Sequence, residues 1–325
     1  MRAFRIASEL DFTIAPATLE RIRLDRRRLR SVAGERIREE FLKLLAAPRG
    51  FRHVRSMDRA GLLKVLFPES AAMERTGHSY YGRGGVWKHS LRALEILEEV
   101  LSRPGRLFPQ CGGGLERYLS QPVAGHPRSA LLKAAELLHD VGKPRTARVI
   151  GGRLRFFGHE DVGAVLSRKI LGRLRFSSEE QARVSKIVQA HMRPGNLAAQ
   201  PVVTEKALFR FFRDLGDDAV GALLVSLADH LTYVGPRQRF KGKTPHERLT
   251  RRMIRRAFLE PAKVAPHPLV DGHDVMKTLK LPPGPLVDRI LSTAREEQAA
   301  GHLKTRRDTL DWICRRFKTK LGREA

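Results

Sequence analysis

Leu137-Leu138-His139-Asp140-Val141-Gly142-Lys143 closes an apolar segment that begins at Ser129. Its composition predicts a core helix over 129–139, stopped by a turn at the glycine. Adjacent His and Asp at the end of a buried helix offer one nitrogen and one oxygen donor at a single point. A divalent metal ion needs such a pair to activate water. The stretch therefore predicts a helical core and a chemical centre at one end of it.

Working outward, four further residues stand in comparable settings. His89 lies early in a helical segment, Val86-Trp87-Lys88-His89-Ser90, and His159 follows Phe156-Phe157-Gly158. His191 closes a helix after Val188, and Asp229 ends the apolar run that starts at Leu223. One histidine near a helix end usually caps or faces water. An ordered series on apolar helices is different, because buried imidazoles and carboxylates need partners. A shared metal would satisfy them all, and a mixed nitrogen and oxygen donor set suits one or two ions of Mn²⁺, Ni²⁺, Co²⁺, Fe, Mg²⁺ or Zn²⁺.

The rest of the chain reads as helices. Leu19, Ile22, Leu29, Val32, Ile37, Phe41, Leu42 and Leu45 recur at roughly helical spacing before the Pro48-Arg49-Gly50 break. Residues 148–157 predict a short β-hairpin, since Gly151-Gly152 suits a two-residue primed turn. Residues 102–128, rich in Gly and Pro, read as a surface insertion. The tail, 270–325, reads as two or three helices interrupted at Pro282-Pro283-Gly284-Pro285. The expected class is all-α, a multi-helical bundle flanked by a helical neck (1–75) and a basic helical tail (236–325), with 76–235 carrying the metal ligands.

Charge points to a partner. Lys and Arg number 62 against 35 Asp and Glu, a formal net charge of +27. A polyanion is the natural inference, with nucleic acid ahead of a membrane surface. The basic candidates for RNA contact are Arg26, Arg27 and Arg28 in the neck, then Arg237, Arg239, Lys241, Lys243, Arg251, Arg252 and Arg255. A solvated helix face is the plain alternative for both runs. Hydrophobic residues at 42% suffice for a core, and no run of apolar residues is long enough for a membrane span. Cys111 and Cys314 form no CxxC motif or disulfide framework, which fits a reducing cytoplasm.

The motif LLHDVGKP resembles the central motif of the HD superfamily of metal-dependent phosphohydrolases. The resemblance implies that His89, His139, Asp140 and Asp229 hold a first metal. It implies that His159 and His191 hold a second, with Asp140 bridging. Lys143 matches a basic residue that pairs with a substrate phosphate. VWKHSLRALEIL, LLHDVGKPRTA and FFGHEDVGA resemble, more narrowly, the HD region of bacterial tRNA nucleotidyltransferases, the CCA-adding and poly(A) polymerase family. MRAFRIASELDFTIAPATLERI, GERIREEFLKLL and GLLKVLFPE resemble that family's neck, and residues from Pro268 to Ile313 resemble its tail. The family's catalytic palm, with its Gly-Ser turn and Asp-x-Asp pair, has no counterpart in these residues. Nucleotide addition by this chain alone is not expected.

The expected function is thus metal-dependent hydrolysis of a phosphomonoester, a cyclic phosphate or a nucleotide or RNA end, with Asp140 and Lys143 as catalytic groups. RNA, in particular tRNA, is the expected partner. The alternatives are the tRNA-binding half of a split CCA-adding enzyme whose palm is a separate polypeptide, or a truncated gene product. Among the other histidines, His53, His126, His246, His267 and His302 are expected on the surface. His78, near Tyr80 and Tyr81, is the best outside candidate for substrate contact, and His230 is expected to point away from Asp229.

Overall fold

Leucines and alanines run around most of the helix Arg128–Leu138, and even its Arg128, Lys133 and Glu136 are buried. The computed structural model, which describes residues 1–236 and 239–318, places it at the centre of the larger of two compact units. Around it pack Gly34–Ala46, Gly85–Ser102, Ser178–Ala190 and Ala219–Thr232. Gly221 lets the last of these approach closely, since a Cβ there would meet Leu132 Cδ2 at 2.7 Å. His159–Arg173 and Ser178–Ala190 form an antiparallel helix pair. Ser177 and Glu180 make a capping box at the start of the second helix. Glu180, fully buried, also accepts two bonds from Arg38, at 2.8 and 2.7 Å.

The all-α class therefore holds, and the predicted hairpin pairs Arg148–Ile150 with Arg153–Arg155. Gly151 and Gly152 both have positive φ, 57° and 71°, as a type I′ turn requires. A second short pair, Pro122–Val123 with His126–Pro127, was not expected.

Two expectations need correction. Residues 102–128 are not a surface insertion: they contain the helix Gly112–Ser120, whose Leu115, Tyr118 and Leu119 are buried. The glycines there serve close packing, since a Cβ on Gly112 would sit 2.6 Å from Gly105 Cα. The Tyr118 hydroxyl donates to Asp217 O and accepts from Gly221 N–H, both at 3.0 Å. Tyr118→Phe leaves the buried Gly221 N–H unpaired, while Asp217 O keeps its bond from Arg128 Nη1 at 2.9 Å, and chemical denaturation should show a loss of about 1–3 kcal/mol. His53, His126 and His246 are buried rather than exposed. His126 Nε2 meets Glu39 at 3.1 Å, and His246 Nε2 meets the Ser226 hydroxyl at 3.1 Å.

The described residues form two compact units. Residues 1–199 and 217–254 form one unit, so the neck and the metal-ligand helices share a core, and 200–216 with 255–325 form the other. The reason is visible in the packing: Gly34–Ala46 lies on the central helix, and Arg38 is tied to Glu180. In the second unit, Glu205–Leu215 packs on Pro285–Ala299 and is fastened by Lys206–Glu297 at 2.7 Å and Arg213–Glu296 at 2.8 Å. Its small core includes Val275, Ile290, Ala294 and Ile313.

Candidate metal centre

Three of the histidines are set by one local device. His139 Nδ1 meets Glu136 O at 2.7 Å, His159 Nδ1 meets Phe156 O at 2.8 Å, and His191 Nδ1 meets Val188 O at 2.6 Å. Each ring therefore gives Nδ1–H to the carbonyl three residues earlier and turns Nε2 toward the cluster. Metal-ligating histidines are oriented in this way. His89 comes from the first turns of Gly85–Ser102, and Asp229 from the last turn of Ala219–Thr232.

Asp140 stands between two groups of these nitrogens. Its Oδ2 lies 3.4 Å from His89 Nε2 and 3.2 Å from His139 Nε2. Its Oδ1 lies 3.4 Å from His159 Nε2 and 3.8 Å from His191 Nε2. Asp229 Oδ1 joins the first group, 3.0 Å from His89 Nε2 and 3.8 Å from His139 Nε2. The six residues named from the sequence thus meet at one place. Asp140 and His139 are fully buried, while His191 is 1% and His159 5% exposed.

The chemistry of this cluster asks for a cation. His89 Nε2, His139 Nε2, Asp140 Oδ1 and Asp229 Oδ1 are buried without a hydrogen-bond partner. Unpaired buried acceptors are costly; an ion beside His89, His139 and Asp229 would satisfy three of these atoms, and one beside His159 and His191 would take Asp140 Oδ1. The sets His89, His139, Asp229 and His139, Asp140, His191 each bring their ligand atoms within 4.8 Å of one another. The charge balance agrees. Burial opposes protonation of His139, yet Asp140, Asp229 and Glu136 together raise it to about 10. Burial, with the charge of His139 behind it, pushes His191 down to about 3, so this ring is neutral and ready to ligate.

Lys143 follows Gly142 into the short helix Lys143–Thr146 and turns back on the cluster. Its Nζ lies 2.5 Å from Asp140 Oδ2 and donates to the Tyr81 hydroxyl at 2.7 Å. Burial disfavours its charge, but Asp140 more than compensates, and the ammonium is held. Burial and then Asp140 raise the Tyr81 phenol to about 12, so it stays neutral. Tyr81 lies over the His89 ring at 4.6 Å and Tyr233 lies beside it at 5.4 Å. A cavity of about 510 Å³ opens here, bounded by Tyr81, Lys143, Phe156, His159, Asp229 and Tyr233. A larger cavity, about 910 Å³, lies elsewhere in this unit, but its buried Lys133 is already paired with Glu98 at 2.7 Å.

Tyr81, Tyr233 and the buried Glu136 were missed from the sequence. Tyr81 was visible only as a neighbour of His78, which is itself exposed and bonded to Glu74 O. Glu136 is fully buried behind His139, and burial drives its carboxyl well above the usual range. His230 points away, to the Thr244 hydroxyl at 3.0 Å, as expected. The basic candidates do not converge on the metal cluster. Arg27, Arg28, Lys241, Lys243, Arg252 and Arg255 are exposed. Arg26 is half-buried against Gly61, and Arg239 donates to Leu231 O at 3.0 Å. Arg251 is a correction: its guanidinium is engaged by Leu107 O at 2.6 Å and Phe240 O at 2.9 Å, an internal tie. Arg237 lies outside the described residues. Among the described residues, no helix is long and apolar enough to cross a membrane.

Comparison with known proteins places these helices in a family. Residues 11–73 match the family model described as "Probable RNA and SrmB- binding site of polymerase A", and residues 86–234 match the HD domain model. Over 321 residues the chain is 32% identical to the A-adding tRNA nucleotidyltransferase of Deinococcus radiodurans, spanning 97% of this chain and 67% of that one. It is 31% identical over 333 residues to the CC-adding tRNA nucleotidyltransferase of Thermus thermophilus, spanning 100% and 67%. A CC-adding tRNA nucleotidyltransferase of Geobacter sulfurreducens is 26% identical, with 63% of its length covered.

Proposed function

The chain belongs to the tRNA nucleotidyltransferase family, and on that premise we propose that its HD centre is a metal-dependent phosphohydrolase acting on a phosphomonoester, a cyclic phosphate or an RNA end. The observation that carries this reading is the set of four unpartnered ligand atoms around Asp140. His89, His139, Asp140 and Asp229 would hold one divalent ion, and His159 and His191 with Asp140 a second. A bound ion of this kind lowers the pKa of a water and offsets charge on the phosphoryl group. The protein's own groups do the rest. The Nδ1 bonds hold the rings in the ligating tautomer, and the buried surroundings keep the electrostatics strong. Lys143, fixed by Asp140 and Tyr81 at the cavity wall, places a permanent positive charge where a phosphate oxygen enters. Tyr81 and Tyr233 close the cavity over His89.

The test is hydrolysis of bis(p-nitrophenyl) phosphate by protein stripped with EDTA and reloaded with Mn²⁺, Ni²⁺, Co²⁺, Mg²⁺ or Zn²⁺ in turn. No hydrolysis with any of them overturns the reading. Lys143→Gln should lower kcat by about 10- to 100-fold while metal content stays the same, since the lysine stabilises charge without ligating. Equal loss of metal and rate would make Lys143 a structural partner of Asp140 instead.

A second reading is favoured by the relatives, which are A-adding and CC-adding tRNA nucleotidyltransferases. In it the chain holds tRNA, and a palm supplied as a separate polypeptide carries nucleotide addition. Tight, salt-sensitive tRNA binding without hydrolysis would support it. Both readings place the protein in the cytoplasm with RNA, in keeping with two free cysteines.

A further inference from the structure

The hairpin beside the metal centre carries an arrangement that folding alone disfavours. Its register sets Arg148 opposite Arg155 and Ile150 opposite Arg153. Facing residues, and residues two apart along a strand, share a face. Arg148, Arg153 and Arg155 therefore stand together on one side of a two-stranded ribbon. Like charges facing each other across strands are destabilising, and an isolated ribbon has little stability to spare. All three are exposed, and among the described residues none has an acidic partner. A polyanion lying along this face would remove the repulsion.

The ribbon leads directly into the cavity. Leu154 and Arg155 line it, and the next residue, Phe156, supplies the carbonyl that orients His159. Phe157 and Tyr80, both at the cavity wall, expose 76% and 64% of their surface. Two open aromatic rings beside unpaired arginines form the surface that single-stranded nucleic acid uses. Bases stack on the rings, arginines take phosphates, and neither contact requires a particular sequence. The cavity, about 510 Å³, is of a size for one small ligand and does not admit a duplex.

We propose that the hairpin guides a single-stranded RNA end into the HD centre, with phosphates along Arg148, Arg153 and Arg155 and a base against Phe157 and Tyr80. The delivery of the end to a reacting centre rests on the phosphohydrolase reading; the binding of the strand does not.

Two experiments on the full chain keep these apart. In the first, kcat/KM is measured for a short single-stranded RNA with a terminal phosphate and for bis(p-nitrophenyl) phosphate. Arg148→Gln with Arg153→Gln, and separately Phe157→Ala, should lower the ratio of the two values by about tenfold or more, the size expected from losing one stacked base or two phosphate contacts. A ratio that does not move overturns the guide and leaves the hydrolase reading standing. In the second, the same RNA carrying 4-thiouridine next to its end is irradiated with the protein in EDTA. The cross-linked peptides should include residues 148–157. Cross-links confined to the neck or to 239–256 overturn the guide, whether or not either substrate is hydrolysed. Cross-links at the hairpin with no hydrolysis of either substrate would sustain the guide and sink the hydrolase reading alone.

Discussion

Asp140→Asn should remove metal-stimulated hydrolysis, lowering kcat/KM by about three orders of magnitude, roughly 4 kcal/mol of transition-state stabilisation. The effect is expected to exceed that of any single histidine, because Asp140 alone serves both groups of ligands. Its Oδ2 faces His89 and His139, and its Oδ1 faces His159 and His191. An amide offers one weak oxygen in place of two charged ones. Metal content measured by elemental analysis should fall with the rate. Removing the carboxylate also strips the buried Lys143 of its anion, and breaking a buried pair costs about 3–5 kcal/mol. The unfolding temperature must therefore be followed alongside. His191→Ala is the companion variant, since His191 is neutral and leaves no charge unpaired. It should keep its fold and lose metal and activity in parallel. Full activity in a folded His191→Ala protein would show that the His159 and His191 half takes no part.

Gly142→Ala is expected to have the largest effect on stability of any single-methyl addition near the site. A Cβ at this position would lie 2.1 Å from His159 O and 2.7 Å from Gly163 N. Both are backbone atoms of the helix that begins at His159, so no side chain can rotate away. The helix must shift, and overpacking of this kind costs about 3 kcal/mol. Because the shift starts at His159, it should also disturb that ligand. Thermal unfolding should show a lower midpoint, and titration with a divalent metal should show weaker binding. Wild-type stability together with unaltered metal affinity would contradict the close approach of the motif turn and the His159 helix.

This glycine illustrates how much was legible beforehand. The local pattern around His139 showed the helix, the turn and the candidate ligands, because ligand chemistry is written in residue type and burial in apolar runs. The same holds for Gly151-Gly152, where two positive-φ positions demand a primed turn whatever surrounds them. Residues 102–128 failed for a related reason: glycine and proline mark flexible loops and close packing alike, and only the neighbour, here Gly105 against Gly112, distinguishes them. His126 and His246 failed because a histidine with one partner is cheap to bury, and the partners, Glu39 and Ser226, are distant in sequence.

By itself, the sequence determined the helical class through short-range periodicity and six candidate ligands through residue chemistry, and its motifs resembled the family to which the chain belongs. Only the tertiary structure decided that Asp140 splits its oxygens between two groups of histidines, that Tyr81 and Tyr233 roof the site, and that neck and HD helices share one core. It alone brought three arginines that have no acidic partner among the described residues, and two open aromatic rings, to the mouth of the candidate metal centre. Those relations join residues far apart along the chain, and no local propensity encodes a distance between them.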